Sequence, residues 1–224
     1  PMRDGVDLIA DHYAPDTENP SGTLLVRGPY GRRFPFSSIF GAVYAARGYH
    51  VVLQSVRGTF GSGGTFTPMV NEVDDGAATA AWLRDQPWFT GAFATVGLSY
   101  LGFTQWAMLA DPPPEMKAAI IAVGPHDFSA AAWGTGAFTV NDFLGWSNMV
   151  SHQEDPGLVR TIARLATSNR VVARTTHQAP AGDAARTLLG RGAPWYESWI
   201  SHPDRDDEFW EPLRLTEALD RVEI

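Results

Sequence analysis

Between residues 6 and 123 short apolar runs alternate with helix-forming stretches, and this alternation restricts the fold more than any other feature of the chain. Residues 6–13 alternate apolar and polar side chains, as a half-buried strand does. Residues 23–26, 49–56, 93–96 and 118–123 are instead continuously apolar or β-branched, the pattern of strands covered on both faces. Helices are predicted between them. Ser37 or Ser38 can cap one that runs to Arg47 and ends at Gly48, and Asn71 can cap one over 72–84, with Pro87 beyond it. A third spans 103–110, before the break at Asp111-Pro112-Pro113-Pro114. The order strand, strand, helix, strand, helix, strand, helix, strand with short links predicts an α/β fold. Its sheet is mostly parallel, helices lie on both faces, and an antiparallel opening strand is allowed.

After His126 the pattern changes. No buried strand is evident over 127–219, and residues 141–152, 158–174 and 184–189 read as helices punctuated by Pro156, Pro180 and Pro194. The expected organisation is therefore a core over 1–126, a helical cap inserted over 127–219, and the start of a returning core strand at 220–224. The cap carries Trp133, Trp146, Trp195, Trp199 and Trp210. These are first of all core residues of the cap, with one or two left as candidates to line a substrate pocket.

Gly97-Leu98-Ser99-Tyr100-Leu101-Gly102 lies between a predicted strand and a predicted helix. A serine in that position sits on a sharp turn, with its hydroxyl raised above the C-terminal edge of the sheet as a nucleophile. Small residues let the two backbones approach. The backbone N–H after the serine, that of Tyr100, points at the oxyanion that develops during acyl transfer. The usual spacing is G-x-S-x-G; here Leu101 stands at the second glycine position and Gly102 follows one residue late. The plain alternative is a turn or cap serine, which the strand–turn–helix context disfavours.

Arg27-Gly28-Pro29-Tyr30 follows an earlier buried strand. In an α/β-hydrolase this loop supplies the other half of the oxyanion hole, and the Tyr30 phenol can donate to an oxyanion. Position alone leaves Tyr30 equally well placed as a packing residue. Arg57-Gly58-Thr59-Phe60-Gly61-Ser62-Gly63-Gly64 invites a nucleotide-loop reading, but it lacks the Gly-Lys-Ser/Thr ending and the G-x-G-x-x-G spacing. It reads better as a structural loop at the sheet's edge.

Together these segments, with Pro1 to Val6, Gln86-Pro87-Trp88 and the stretch from Gly97 to Gln105, resemble the X-prolyl dipeptidyl-peptidase and cocaine-esterase (CocE/NonD-type) family of α/β-hydrolases. His202-Pro203 and Asp206 to Trp210 add a weaker match. The resemblance covers nearly the whole chain. It implies Ser99 as nucleophile, an oxyanion hole of the Tyr30 hydroxyl and the Tyr100 N–H, a helical cap, and substrates that are esters, amides or short peptides. It implies no cofactor. Carboxylic ester cleavage is the leading expectation, X-Pro dipeptidyl-peptidase activity the second, and an incomplete, non-catalytic fragment or binding fold the alternative of another class.

A serine nucleophile needs a histidine base and an acid, in the chain order Ser, Asp or Glu, His. The sequence stops at Ile224, where a further strand is expected, so both partners are expected beyond it and the chain reads as truncated before the last sheet strands. Within the chain Asp127 is a weaker candidate acid, and His126, His152, His177 and His202 are weaker candidate bases. His12 and His50, in early strands, are weaker still. Asp206-Asp207-Glu208 reads as a helix start rather than a metal site.

The 224 residues hold no cysteine, which excludes thiolate metal sites, disulfides and Cys nucleophiles. Net charge is -8 and Lys117 is the only lysine, which argues against a nucleic-acid partner. No apolar stretch is long enough to span a membrane. The absence of a targeting segment points to the cytoplasm, although the opening Pro1-Met2-Arg3 reads as cut from a longer chain.

Overall fold

Residues 1–177, 181–190 and 193–222 are described by the computed structural model. Contacts divide them between two units, Pro1–Asp127 with Pro212–Ile224, and Phe128–Glu211.

The first unit is built on five strands: β1 (Ala10–Tyr13), β2 (Gly22–Gly28), β3 (Tyr49–Ser55), β4 (Phe93–Leu98) and β5 (Met116–Ala122). Their order is β1-β3-β2-β4-β5. β1 runs antiparallel to β3, and every other pairing is parallel. The opening strand is shorter than its alternation predicts. Residues 6–8 leave the ladder; the Ile9 carbonyl still accepts the Ser55 N–H (3.0 Å), but its N–H donates to Ser62 Oγ (2.9 Å). β2 and β3 are buried along almost their full length, as continuous apolar runs require.

Both faces of the sheet carry a core. Leu25, Val52, Phe93 and Met116 pack with Leu83 of α2 (Glu72–Arg84) and Met108 of α3 (Tyr100–Leu109) on one side. Leu24, Val26, Val51 and Leu53, their neighbours along the strands, pack with Phe40 and Leu101 on the other. This is strand period two read directly in burial.

The segment after β2 departs from expectation. It begins as a π-helix (Ser37–Ala42) and tightens into a single α turn, α1 (Val43–Ala45). Neither serine caps it: Phe36 holds the N-cap position without a side-chain bond. The Ser37 and Ser38 N–H groups donate to Arg33 O and Pro35 O, so these residues already lie inside the helix. Asn71 does occupy the N-cap position of α2, but its side chain makes no capping bond.

The second unit is helical. It contains α4 (Phe128–Trp133), α5 (Val140–His152), α6 (Leu158–Thr176), α7 (Ala181–Leu189) and α8 (Pro194–Ser201), followed by a 3₁₀ turn (Glu208–Leu213). Pro194 opens α8, where its missing N–H costs nothing. Pro180 lies outside the described residues. Aromatic rings fill the unit: Trp199 is buried against Phe128, Phe143 and Trp146, with ring centroids 4.7, 5.6 and 5.9 Å away. Residues 212–219, expected with the cap, fall in the first unit, where Ala218 joins the core beside α3. The strand expected from residue 220 is instead the end of a short helix, α9 (Ala218–Arg221). Val222 is extended, and residues 223–224 lie outside the described residues.

Candidate active site

β4 ends at Leu98 and α3 begins at Tyr100, so the whole reversal from strand to helix falls on Ser99. Its φ of 57° and ψ of -123° are conformations that non-glycine residues avoid. Such a residue costs about 1–3 kcal/mol and persists only where its surroundings over-determine it. Here the Ser99 N–H donates to Ala122 O (3.0 Å), while its carbonyl accepts from the N–H groups of Gly102 (2.8 Å) and Phe103 (3.2 Å). The helix starts three residues before the predicted 103, and the turn is correspondingly tighter.

The displaced glycine has a steric explanation. A Cβ on Gly97 would come within 2.4 Å of Leu101 Cβ, and one on Gly28 within 2.5 Å of Leu101 Cδ1. Leu101 is therefore tolerated at the usual second glycine position because Gly28, on the neighbouring strand, leaves its side chain room. Gly102 meets a different constraint: its added Cβ would lie 2.6 Å from the Cα of Gly124, just past β5. Two glycines thus let α3 approach the chain leaving the sheet.

Tyr30 lies two residues past the end of β2, and Ser99 one residue past the end of β4. The two strands are parallel neighbours, so both residues leave the same, C-terminal edge of the sheet. Tyr30 is half-buried and its ring stacks on Phe36, with centroids 5.9 Å apart. The fold thus gathers Ser99, Tyr100 and Tyr30 at one edge. The Gly-rich loop at 57–64 is closed by Gly58 N–H to Gly63 O (2.8 Å). It is anchored by Arg57, which bridges Asp4 and Asp75 at 2.6 Å each.

Beneath the turn from β4 to α3, the elbow that carries Ser99, lies a polar cluster that the motif reading did not foresee. The Tyr100 side chain is 2% exposed, and its hydroxyl donates to Glu72 Oε1 (2.8 Å) while accepting the Met69 N–H (2.7 Å). Glu72 Oε2 is 3.1 Å from Arg27 Nη2, both side chains being buried. Arg27 Nε donates to Gln54 Oε1 (2.7 Å), which also receives the Thr79 hydroxyl (3.0 Å). Burial pushes the Glu72 carboxyl above its usual range against the opposing pull of Arg27 and the Tyr100 hydroxyl. Burial, with the Glu72 charge, also drives the Tyr100 phenol well upward, so it stays a neutral donor. One signal was available in the sequence: Arg27 closes the apolar run Leu24-Leu25-Val26, and an arginine in a buried strand needs an acidic partner.

Among the described residues no side chain hydrogen-bonds Ser99 Oγ. Apart from His177, the candidate bases are engaged elsewhere. His12 and His50 share a 3.0 Å bond, and His12 stacks on Trp88. His126 meets Trp106 edge-on, with its Nδ1 3.4 Å from Thr216 Oγ1. His152 Nδ1 is 2.8 Å from Asn148 O, and His202 Nδ1 is 2.6 Å from Ser198 O. His177 is exposed at the end of α6. Asp127 forms an isolated antiparallel bridge with Arg214.

The model of the X-Pro dipeptidyl-peptidase family (S15 family) matches residues 4–224. The chain belongs to that family. Cocaine esterase of Rhodococcus sp. (strain MB1 Bresler) is 35% identical over 233 residues, which cover 98% of this S15-family chain and 40% of the esterase. The chain therefore spans about 40% of that relative's length. Solved structures agree on an α/β-hydrolase fold. An aminopeptidase from the marine sediment archaeon Thaumarchaeota archaeon superposes with a TM-score of 0.75 at 22% identity, covering 100% of this chain and 40% of its own. An α-amino acid ester hydrolase gives 0.74 at 24% identity, over 99% and 39%.

Among the tryptophans of this chain's helical unit, Trp199 and Trp210 are wholly buried, whereas Trp146 lines a cavity of about 750 Å³ between α5 and α6, with Asn148, Met149 and Val172. Among the described residues no three His, Asp or Glu side chains are grouped to hold a metal ion. No described helix is long and apolar enough to cross a membrane.

Proposed function

We propose that this chain supplies the nucleophile and oxyanion hole of a serine hydrolase acting on a carboxylic ester or amide. The observation that carries the proposal is the backbone of Ser99, held at φ 57° between β4 and α3 at the C-terminal edge of the sheet. The Ser99 hydroxyl attacks the carbonyl carbon and its proton passes to a histidine base. The tetrahedral oxyanion accepts hydrogen bonds from the Tyr100 N–H and the Tyr30 hydroxyl. Collapse expels the alcohol or amine, and water releases the acyl group from Ser99. The neutral phenol of Tyr30 fits this role, because it donates without bringing a charge that binds the ground state.

Ester cleavage is the reading favoured by the relative at 35% identity, named as an esterase. Removal of X-Pro dipeptides is the second reading, favoured by the matching family's description. Small esters or short peptides are the substrate class in either case.

Labelling with a fluorophosphonate, followed by peptide mapping and a Ser99→Ala control, tests the proposal. Rapid labelling at Ser99 is expected in the active protein, and Ser99→Ala should lower hydrolysis roughly 10⁶-fold. Labelling of residues 1–224 alone places the base among them; labelling only in a longer protein places it outside. No labelling in either overturns the proposal in favour of a non-catalytic fold.

A further inference from the structure

The two donors of the proposed oxyanion hole come from segments far apart in sequence, and one buried carboxylate joins both. Glu72 Oε1 receives the hydroxyl of Tyr100, whose backbone N–H is the first donor. Glu72 Oε2 pairs with Arg27, and the Glu72 carbonyl accepts Arg27 Nη1 (3.3 Å). Arg27 stands three residues before Tyr30, the second donor. Its own carbonyl accepts the hydroxyl of Thr104 on α3 (3.1 Å), a second tie between the end of β2 and the elbow helix. Gly76 makes the pairing possible: a Cβ there would lie 3.2 Å from Arg27 Nη1.

A stability role alone explains this arrangement poorly. A buried ion pair does little for stability compared with apolar residues of similar volume, because desolvation offsets the attraction. What such a pair does supply is fixed direction, since each bond holds only over a narrow range of angle and distance. The anchored residues are also those whose placement matters. Ser99 is held in a strained conformation, and the residue after it is tied down through its side chain.

Resting on the hydrolase reading above, we infer that Glu72 is a positioning residue that sets the spacing of the two oxyanion donors, acting through Tyr100 on one side and Arg27 on the other. It touches no substrate. Its effect is therefore exerted on the transition state, where the oxyanion is formed, and little on substrate binding.

Tyr100→Phe is the deciding variant. It keeps the backbone N–H and leaves the Glu72–Arg27 pair intact, but cuts the tie to the elbow. With a p-nitrophenyl ester, kcat per fluorophosphonate-titrated site should fall about tenfold while KM changes by less than about twofold. Inhibition by a boronic acid, whose tetrahedral adduct uses the same donors, should weaken by the same factor as kcat/KM. A merely structural role would lower the titratable fraction and leave the surviving sites at wild-type kcat. Glu72→Gln, which retains an acceptor for Tyr100 but not the charge facing Arg27, should show the same kcat-only loss in its folded fraction. Wild-type kcat and boronic acid affinity in Tyr100→Phe, with Ser99→Ala inactive, overturns the role of Glu72 and leaves the hydrolase reading standing. Undiminished hydrolysis by Ser99→Ala overturns both.

Discussion

Tyr100 and Tyr196 are each almost completely sealed from solvent, at 2% and 0% exposure, one in each unit. Tyr100 has a donor and an acceptor on its hydroxyl and sits at the end of a chain of buried polar groups that reaches Thr79. Among the described residues the Tyr196 hydroxyl has no hydrogen-bond partner, and burial pushes its phenol up to about 12. It sits edge-on to Phe138 in a unit whose largest buried side chains are aromatic. The difference teaches what each interior is built to do. The sheet unit buries charged groups in directional contacts at the elbow, whereas among the described residues the helical unit packs around rings whose polar contacts are neutral, such as Trp195 Nε1 to Ser147 Oγ (3.0 Å). Rings tolerate a stray hydroxyl; a network of buried charges does not tolerate a missing member.

The largest expected effects set the two interiors directly against each other. Arg27→Met leaves the Glu72 carboxylate buried without its counter-ion and should lower stability by about 3–5 kcal/mol. Trp199→Ala empties a ring-lined site in the helical unit and should cost a similar amount, about 3–5 kcal/mol. Their dependence on pH separates them. The folded-state pKa of Glu72 is already raised by burial, and Arg27→Met removes the largest opposing pull. A raised carboxyl means that the folded state holds the proton more tightly, so stability falls as pH rises from the unfolded pKa toward the folded one. Urea unfolding should therefore show a larger deficit for Arg27→Met at pH 8 than at pH 5, and an equal deficit for Trp199→Ala at both. Equal deficits in both variants would break the distinction.

Tyr100→Phe should lose about 1–3 kcal/mol, because the Met69 N–H and Glu72 Oε1 are left buried with a partner removed. Tyr196→Phe is the matched control. Removing an unpaired hydroxyl should leave stability unchanged or raise it by up to about 1 kcal/mol, read from the same unfolding curves. A loss there as large as that in Tyr100→Phe would show that the helical unit also relies on directional polar contacts.

Legibility in the sequence follows the range of the interactions. α2 is read to the residue, and the strands from β2 to β5 are read to within one to three residues. Each carries its signal in its own window, as a helix-forming segment punctuated by Asn71 and Pro87 or as a continuous apolar run. α5 and α6 show in the same way. α4 and α8, of 6 and 8 residues, are too short for a 3.6-residue period to stand out, and packing of their aromatics stabilises them instead. The π-helix at Ser37 depends on carbonyls of Arg33 and Pro35 in a loop whose path no local pattern specifies.

At the site the same division holds. The Ser99 turn is local, since Gly97, Ser99 and the helix that follows occupy one short window, so the sequence alone determines the strand–turn–helix motif and places the proposed donor, the Tyr100 N–H, just after the serine. Only the tertiary structure decides that Leu101 fits against Gly28, that Gly102 meets Gly124, and that Glu72 finds both Arg27 and Tyr100. Glu72 by itself reads as an acidic residue suited to the start of α2. Its partners lie 45 and 28 positions away along the chain. They meet because parallel pairing sets β2 beside β4 while α2 and α3 pack together on one face of the sheet. Local pattern encodes which element forms. Which buried charges meet depends on how those elements are stacked, and stacking is set by the whole sheet at once.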